Sequence, residues 1–136
     1  MMGFDLNMKE LVEYSKKLAD SVDGFDDFLK GFLIEMANRI IAKTKPRTPK
    51  DTGALRSAWF IGDVKHSGKS LYVELKNPME YATFIEYGHR IVRGGVEVGW
   101  YEGRFMLKIS IDEAKAQMPL RYRKKFHDWC KMKGIE

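Results

Sequence analysis

The sequence predicts a single α+β domain, in which a long N-terminal helix packs on a small, mainly antiparallel sheet of three or four strands. A short central helix and a C-terminal helical segment complete the predicted fold. Two observations carry this prediction: a long stripe of apolar residues at helical spacing, and a later pair of segments in which apolar and polar residues alternate. With 136 residues, 44% of them hydrophobic, the chain supports one core over residues 1–136 and leaves little room for a second.

Two helices are predicted before the sheet. Residues from Met8 to Val22 place apolar side chains on one side at helical spacing, and Asp23-Gly24 then interrupts the pattern. A stronger apolar stripe runs from Phe25 to Ile41, with Asp23 in position to act as its N-cap. We expect this second helix to end at Pro46, because the residue before a proline is disfavoured in the α region.

The apolar period changes to that of strands after Ala54. The runs Trp59–Val64 and Leu71–Lys76 flank the turn-like sequence His66-Ser67-Gly68-Lys69. This arrangement predicts a β-hairpin whose turn has four residues or slightly more.

A short central helix is predicted after the hairpin. Asn77-Pro78 resembles an N-cap followed by proline at the first helical position, and Glu80 occupies the place of a capping-box acid. Gly88 is expected to end this helix in a left-handed conformation.

The remainder of the chain is a glycine-rich stretch followed by a helical one. Four glycines surround the β-like run Val96-Glu97-Val98 between His89 and Gly103, which predicts a flexible loop or a mobile hairpin. Helical spacing resumes at Leu107 and continues to Lys133. Pro119 leaves open whether this is one kinked helix or two.

Composition excludes several classes of protein. No run reaches the eighteen or so apolar residues that a membrane span needs, and residues 1–7 lack a basic region followed by an apolar run, so we expect synthesis in the cytoplasm. Cys130 is the only cysteine, which excludes a disulfide framework or a cysteine zinc site and predicts a buried or idle thiol. The net charge of +5 modestly favours acidic partners, nucleic acid or anionic membranes without choosing among them.

The sequence predicts no catalytic residues, cofactor or metal ligand, and hence a protein that is not an enzyme. None of His66, His89 and His127 pairs with another ligand at the spacing of a helical metal site. Glu80 and Glu86 are six residues apart, which places them on different faces of a short helix. We interpret Glu80 as a cap and Glu86 as an ion-pair or loop-anchoring partner.

The C-terminal helix supports an alternative function, that of a nucleic-acid-binding module. Basic side chains crowd this helix, and their interleaving with Tyr122, Phe126 and Trp129 is typical of a nucleic-acid contact. The aromatic residues share one helical face, however, which favours a core or subunit contact and leaves the cations on a solvated face. The candidate DNA contacts are Arg121, Lys124, Lys125 and Lys131.

Three segments together resemble a family of phage proteins. These are Thr48–Arg56 with Trp59, similar to T-P-x-D-T-G-x-L-R-x-x-W; Asn77–Ala82 with Glu86–Arg90, similar to N-P-x-E-Y-A and E-Y-G-H-R; and Gly99–Leu107, similar to G-W-x-x-G-x-F-M-L. We call them the first, second and third motifs. In this order they resemble the small minor tail, tail-completion or head–tail joining proteins of lambdoid and Gram-positive siphophages and of prophages.

The resemblance implies a structural virion protein that acts in tail completion or head–tail joining, as a ring or on a ring at the neck. It implies the connector, tail terminator, tail tube and further copies of the chain as partners. The motif positions that it offers as partner contacts are Asp51, Thr52, Gly53, Arg56, Trp59, Tyr81, Glu86, Tyr87, Gly88, His89, Arg90, Trp100 and Arg104.

The same motif residues are also typical of turns and helix caps, and this structural interpretation is at least as well founded as partner contact. Asp51 and Thr52 can close turns on their own backbone, and Gly53 lets the chain reverse. We also expect Met36, Met106 and Trp129 to be exposed on the single chain, in excess of what one small core needs, and ring assembly would then bury them between subunits.

Overall fold

The computed structural model describes residues 2–7, 23–49, 53–67 and 70–135. Its architecture is α+β, as predicted. The predicted helix over residues 8–22, and the motif residues Asp51 and Thr52, lie outside the described residues. The elements in chain order are β1 (Met2–Asn7), α1 (Phe25–Arg47), α2 (Ala54–Ser57), β2 (Phe60–Ser67), β3 (Ser70–Asn77), α3 (Ala82–Tyr87), β4 (Gly88–Arg93), β5 (Val96–Glu102) and α4 (Met106–Lys133).

The main sheet has three antiparallel strands in the order β1-β3-β2. The predicted β2–β3 hairpin is confirmed, but its predicted four-residue turn is wrong, because Ser67 pairs with Ser70 and only two residues connect the strands. Strand β3 buries Leu71, Val73 and Leu75 on one face, which is the alternation that predicted it. Strand β1 was not predicted.

Helix α1 packs on β2 and β3 with one part of its apolar stripe and on α4 with another. The predicted long helix is therefore confirmed, whereas two predictions about its ends are wrong. Gly24, at φ 87°, occupies the N-cap position, and no side chain of the described residues caps the helix, so Asp23 is not the cap. Pro46 lies inside the helix, which continues to Arg47. Pro46 lacks one backbone donor, but the last turn is held by other bonds, since the Thr48 N–H donates to the Lys45 carbonyl and the Thr48 hydroxyl donates to the Thr44 carbonyl.

Helix α4 is one continuous helix that contains Pro119. Its C-terminal half packs aromatic rings against the start of α1: Tyr122 meets Phe32 edge-on at 5.2 Å between ring centroids, and Trp129 lies 5.4 Å from Phe28. The helix ends in a Schellman arrangement, in which left-handed Gly134 donates to the carbonyl of Lys131 and Ile135 donates to that of Cys130.

The expectation that Met36, Met106 and Trp129 are exposed is wrong. Their exposed fractions are 1%, 0% and 8%, so all three belong to the core. The layer between α1, α4 and the sheet is larger than the sequence suggested, and it uses these side chains to fill space.

The glycine-rich stretch forms a second, two-stranded sheet, β4–β5, which confirms the hairpin alternative. Gly94 and Gly95 connect the strands, and both have positive φ, as a tight type I′ turn requires. No helix among the described residues has the length and continuous apolar sequence needed to cross a bilayer.

Candidate interaction site

Glu86 joins the second motif to the third. It lies on α3, is fully buried, and accepts hydrogen bonds from the backbone N–H groups of Leu107 at 3.0 Å and Lys108 at 2.9 Å. These donors belong to the first turn of α4. Phe105 occupies the N-cap position of this helix, and its side chain makes no capping hydrogen bond. A helix N-terminus has unpaired N–H groups and a partial positive charge, so the carboxylate satisfies both needs from a distant part of the chain. The loop-anchoring interpretation of Glu86 is confirmed.

The backbone reinforces this connection, which we call the Glu86 anchor. Arg104 N donates to the carbonyl of Ile85 at 2.8 Å, and Phe105 N donates to that of Glu86 at 3.0 Å. Phe105 has φ 47°, an uncommon conformation for a residue with a side chain, and these bonds hold it there.

Two glycines allow the segments to approach so closely. A Cβ at Gly103 would lie 2.6 Å from the carbonyl oxygen of Glu86, and a Cβ at Gly88 would lie 2.5 Å from that of Tyr101. Gly88 has the predicted positive φ, but its ψ of 173° leads the chain straight into β4 and is not the left-handed helical value. The two glycines therefore fix where the hairpin leaves the body of the protein.

The start of α3 differs from the prediction. The helix begins at Ala82, so Asn77 is not its N-cap and Glu80 is not a capping-box acid; Glu80 lies exposed in a turn. Asn77 instead ends β3, is fully buried, and accepts a bond from Met79 N at 3.1 Å, as in an Asx turn. Its amide donates to the carbonyl of Leu55 at 2.9 Å, which joins the second motif to the first.

The first motif is organised around Thr48, whose hydroxyl accepts from Trp59 Nε1 at 2.9 Å and donates to the carbonyl of Thr44 at 2.8 Å. Arg56 Nη2 donates to the Thr48 carbonyl at 3.0 Å. Trp59 is buried, and Gly53 precedes α2 with φ 73°. The described part of this motif thus fixes the path of the chain from the end of α1 to the start of the sheet.

Four exposed aromatic side chains lie on the segments that the Glu86 anchor joins. Tyr81, Phe84 and Tyr87 recur every third residue from the N-cap to the end of α3, and the Trp100 ring lies over Gly88, the residue that follows Tyr87. They are 39–54% exposed, and we call them the aromatic patch. Burial, and to a lesser extent the charge of Glu86, raises the pKa of Tyr87.

Beneath the aromatic patch, His89 stacks on Tyr101, with 5.1 Å between ring centroids, and lies 5.6 Å from the ring of Phe84. Arg90 is the register partner of Trp100, and both are exposed, as is Arg104. Trp59, Glu86 and Gly88, by contrast, are buried inside the fold.

An ion-pair cluster secures the other end of α1 to the start of α4. Glu113 lies 3.2 Å from Lys43 Nζ and also contacts Arg47, which donates to the hydroxyl of Ser110 at 2.9 Å. The hydrogen bond from Lys43 holds the pKa of Glu113 below its ordinary value.

The C-terminal aromatic residues are core residues. Tyr122, Phe126 and Trp129 are 2–9% exposed, which leaves no ring face for base stacking. Among the candidate DNA contacts, Arg121 bonds to Gln117 at 3.1 Å and Lys125 lies 3.8 Å from Glu35, whereas Lys124 and Lys131 are exposed.

The residues described form no cluster that could hold a metal ion. No group of three or more His, Cys, Asp or Glu side chains converges within that part of the chain. His127 is exposed, 3.9 Å from Asp128, and far in sequence from the His89 ring stack.

A family model matches residues 9–88, more than half of the chain, and its description reads "Bacteriophage HK97-gp10, putative tail-component". The chain belongs to this family. As an HK97-gp10-like protein it is a bacteriophage tail component, and its place is in the virion among other phage structural proteins. Neither a curated protein nor a solved structure matches it.

The match to the HK97-gp10-like family covers the first motif and most of the second, through Gly88. The β4–β5 hairpin and the third motif lie beyond it. The Glu86 anchor therefore links a residue inside the matched region to the helix that follows it. Glu86 stands out in the sequence as an anchoring residue, but its partners do not, because they are 21 and 22 residues away.

Proposed function

We propose that this HK97-gp10-like chain acts in tail completion or head–tail joining, as one of several copies in or on a ring at the neck or the upper end of the tail. Its partners there are the connector, the tail terminator and the tail tube. We also propose that residues 1–136 fold as one domain, made in the host cytoplasm before assembly.

The observation that carries this proposal is the aromatic patch. Four large aromatic side chains are exposed together on segments that the Glu86 anchor holds in place. Tyrosine, tryptophan and arginine are the residues most often found at the centre of protein–protein interfaces, and Arg90 and Arg104 lie in the same segments. A rigid patch also loses little conformational entropy on binding.

The proposal is tested in a phage that lacks this gene and is complemented with variants of it. We expect the deletion to give heads and tails that fail to form infectious particles, as seen by electron microscopy and plaque counts. Complementation with Trp100→Ala should lower the titre at least about tenfold, because a buried aromatic anchor contributes about 2 kcal/mol or more to an interface.

Leu120→Ala is the matched control, since Leu120 is an exposed apolar residue, 73% accessible, on α4. It should restore the titre fully. Normal, infectious tails in the complete absence of the gene would refute the proposed function.

A further inference from the structure

The outer half of the β4–β5 hairpin exposes an apolar surface distinct from the aromatic patch. Val92, Val96 and Val98 are 55–62% exposed, and Val98 falls at an irregularity in the strand pairing opposite Val92. The register pairs Val96 with Arg93 on one face and Val92 with Glu97 on the other, so exposed valines lie on both faces of the hairpin's end. An isolated two-stranded hairpin is only marginally stable in water, and exposed β-branched residues at its end favour burial by another surface. We call these three residues the hairpin tip.

Two cations accompany the hairpin tip. Arg90 and Arg93 are exposed, and neither forms an ion pair with any residue that the structure describes. The hairpin tip therefore presents apolar side chains next to free positive charge.

An apolar groove with the acidic residues Asp27 and Glu35 in its lining lies between α1 and α4. Its volume is about 260 Å³, and Gly31 opens it because no side chain occupies that position. Ile34, on the neighbouring face of α1, is 41% exposed. The lining residues are Asp27, Phe28, Gly31, Phe32, Glu35 and Lys125.

The groove belongs to an acidic part of a basic protein. Residues 23–35 contain four acidic side chains and one lysine, in a chain with a net charge of +5. Glu35 is paired with Arg39 at 3.3 Å and lies 3.8 Å from Lys125, but Asp27 has no ion pair within the described residues. Asp27 is thus an unpaired negative charge at the rim of an apolar groove.

One copy cannot readily bring these two surfaces together. The hairpin leaves the body next to Met106, at the start of α4, whereas Lys125 lines the groove nineteen residues later along the same helix. At about 1.5 Å per residue the two places are roughly 28 Å apart along the helix axis. Two different, complementary patches at opposite ends of a molecule form a head-to-tail contact, which closes into a ring when the rotation between copies allows it.

We propose that the hairpin tip of one copy docks in the α1–α4 groove of a second copy, with Arg93, the register partner of Val96, facing Asp27. This contact rests on the proposed ring and supplies the contact between its subunits. Valines enter the apolar groove, and the charges at its rim fix the direction of docking.

The test is a charge swap read by sedimentation velocity and native mass spectrometry. Arg93→Glu and Asp27→Arg should each weaken self-association at least about tenfold, because each places like charges across the contact. An equimolar mixture of the two variants should associate again in alternating order, since every contact in it then pairs opposite charges. The double variant carrying both changes should associate alone.

Matched controls keep the change in net charge but place it elsewhere. Arg123→Glu and Asp63→Arg alter exposed side chains on α4 and β2, and they should associate like the wild type. Restored association in the mixture also shows that neither single variant is merely misfolded.

Three outcomes would overturn the docking proposal: a wild-type chain that stays monomeric up to about 1 mM, single variants that behave like their controls, or a mixture that does not recover. None of these outcomes touches the proposed function, which is decided separately by whether particles lacking the gene acquire working tails. A chain that stays monomeric but is still required for tails leaves the function standing and removes this contact.

Discussion

Removing the Glu86 carboxylate should destabilise the protein more than removing any exposed acid, because both of its oxygens serve the start of α4. Hydrogen bonds to a charged group contribute about 1.5–3 kcal/mol each, and a carboxylate at a buried helix N-terminus contributes up to about 2 kcal/mol more. These contributions overlap, so we expect Glu86→Ala to cost about 3–5 kcal/mol. For a chain of 136 residues, that lowers Tm by about 10–15 °C.

Thermal unfolding followed by circular dichroism measures this loss. Glu86→Gln keeps the volume and one acceptor oxygen but loses the charge, so it should fall between the wild type and Glu86→Ala. Glu80→Gln is the control, because Glu80 is exposed in a turn and should change Tm by less than about 2 °C. Hydrogen exchange adds a local measurement: the amides of Leu107 and Lys108 should exchange faster in Glu86→Ala than in Glu80→Gln.

Equal unfolding temperatures for Glu86→Ala and Glu80→Gln would contradict a stabilising role for the Glu86 carboxylate. If Glu86→Ala loses stability but the amides of Leu107 and Lys108 keep their protection, the carboxylate acts through general packing rather than as a cap.

Four further predictions follow from the same contacts. Lys43 lowers the pKa of Glu113 in the folded state, so the stabilisation that the Glu113 carboxylate gives is present above the ordinary carboxyl pKa and is lost as pH falls through the folded pKa. The difference in urea stability between wild type and Glu113→Gln should therefore be clear at pH 7 and vanish near pH 3. Gly103→Ala should cost about 2–3 kcal/mol in urea unfolding because its Cβ meets backbone atoms. The exposed helical Gly31→Ala, with open space around it, should instead gain up to about 1 kcal/mol. Burial raises the pKa of the Cys130 thiol, so iodoacetamide should modify it more slowly in folded than in urea-unfolded protein at pH 8, and equal rates would contradict its burial.

The elements with a strong local period could be predicted from the sequence. Burial on one face gives a helix or strand a regular apolar period. The apolar residues of the stripe from Phe25 to Ile41, and of the alternation from Leu71 to Leu75, are buried in the structure. Strand β1 carries a similar signal, since Met2, Phe4 and Leu6 alternate with Gly3, Asp5 and Asn7, but six residues at a terminus fix neither a partner nor a sheet. Its pairing with β3 is a tertiary contact across some seventy residues.

Caps and exposure were predicted less well, for a physical reason. Asp23 and Glu80 suit a capping position locally, yet α1 and α3 are held by packing and need no such bond. Tertiary packing stabilises a short or apolar helix more than a cap does. Likewise, the burial of Met36 and Trp129 depends on how closely α1 and α4 approach, which no local pattern records.

The candidate site could be predicted as a set of residues but not as an arrangement. The three motifs contain the anchor residues and most of the aromatic patch, with Phe84 lying between the two parts of the second motif. Their division into buried connectors such as Glu86 and exposed side chains such as Trp100 appears only when the chain is folded.

Gly88 and Gly103, which lie next to each other, mark where the β4–β5 hairpin joins the rest of the protein. Because the chain enters and leaves the hairpin at two adjoining backbone positions, the strands beyond them can lengthen, shorten or change composition while the rest of the molecule keeps its geometry. The hairpin can therefore change without disturbing the packing between α1, α4 and the main sheet.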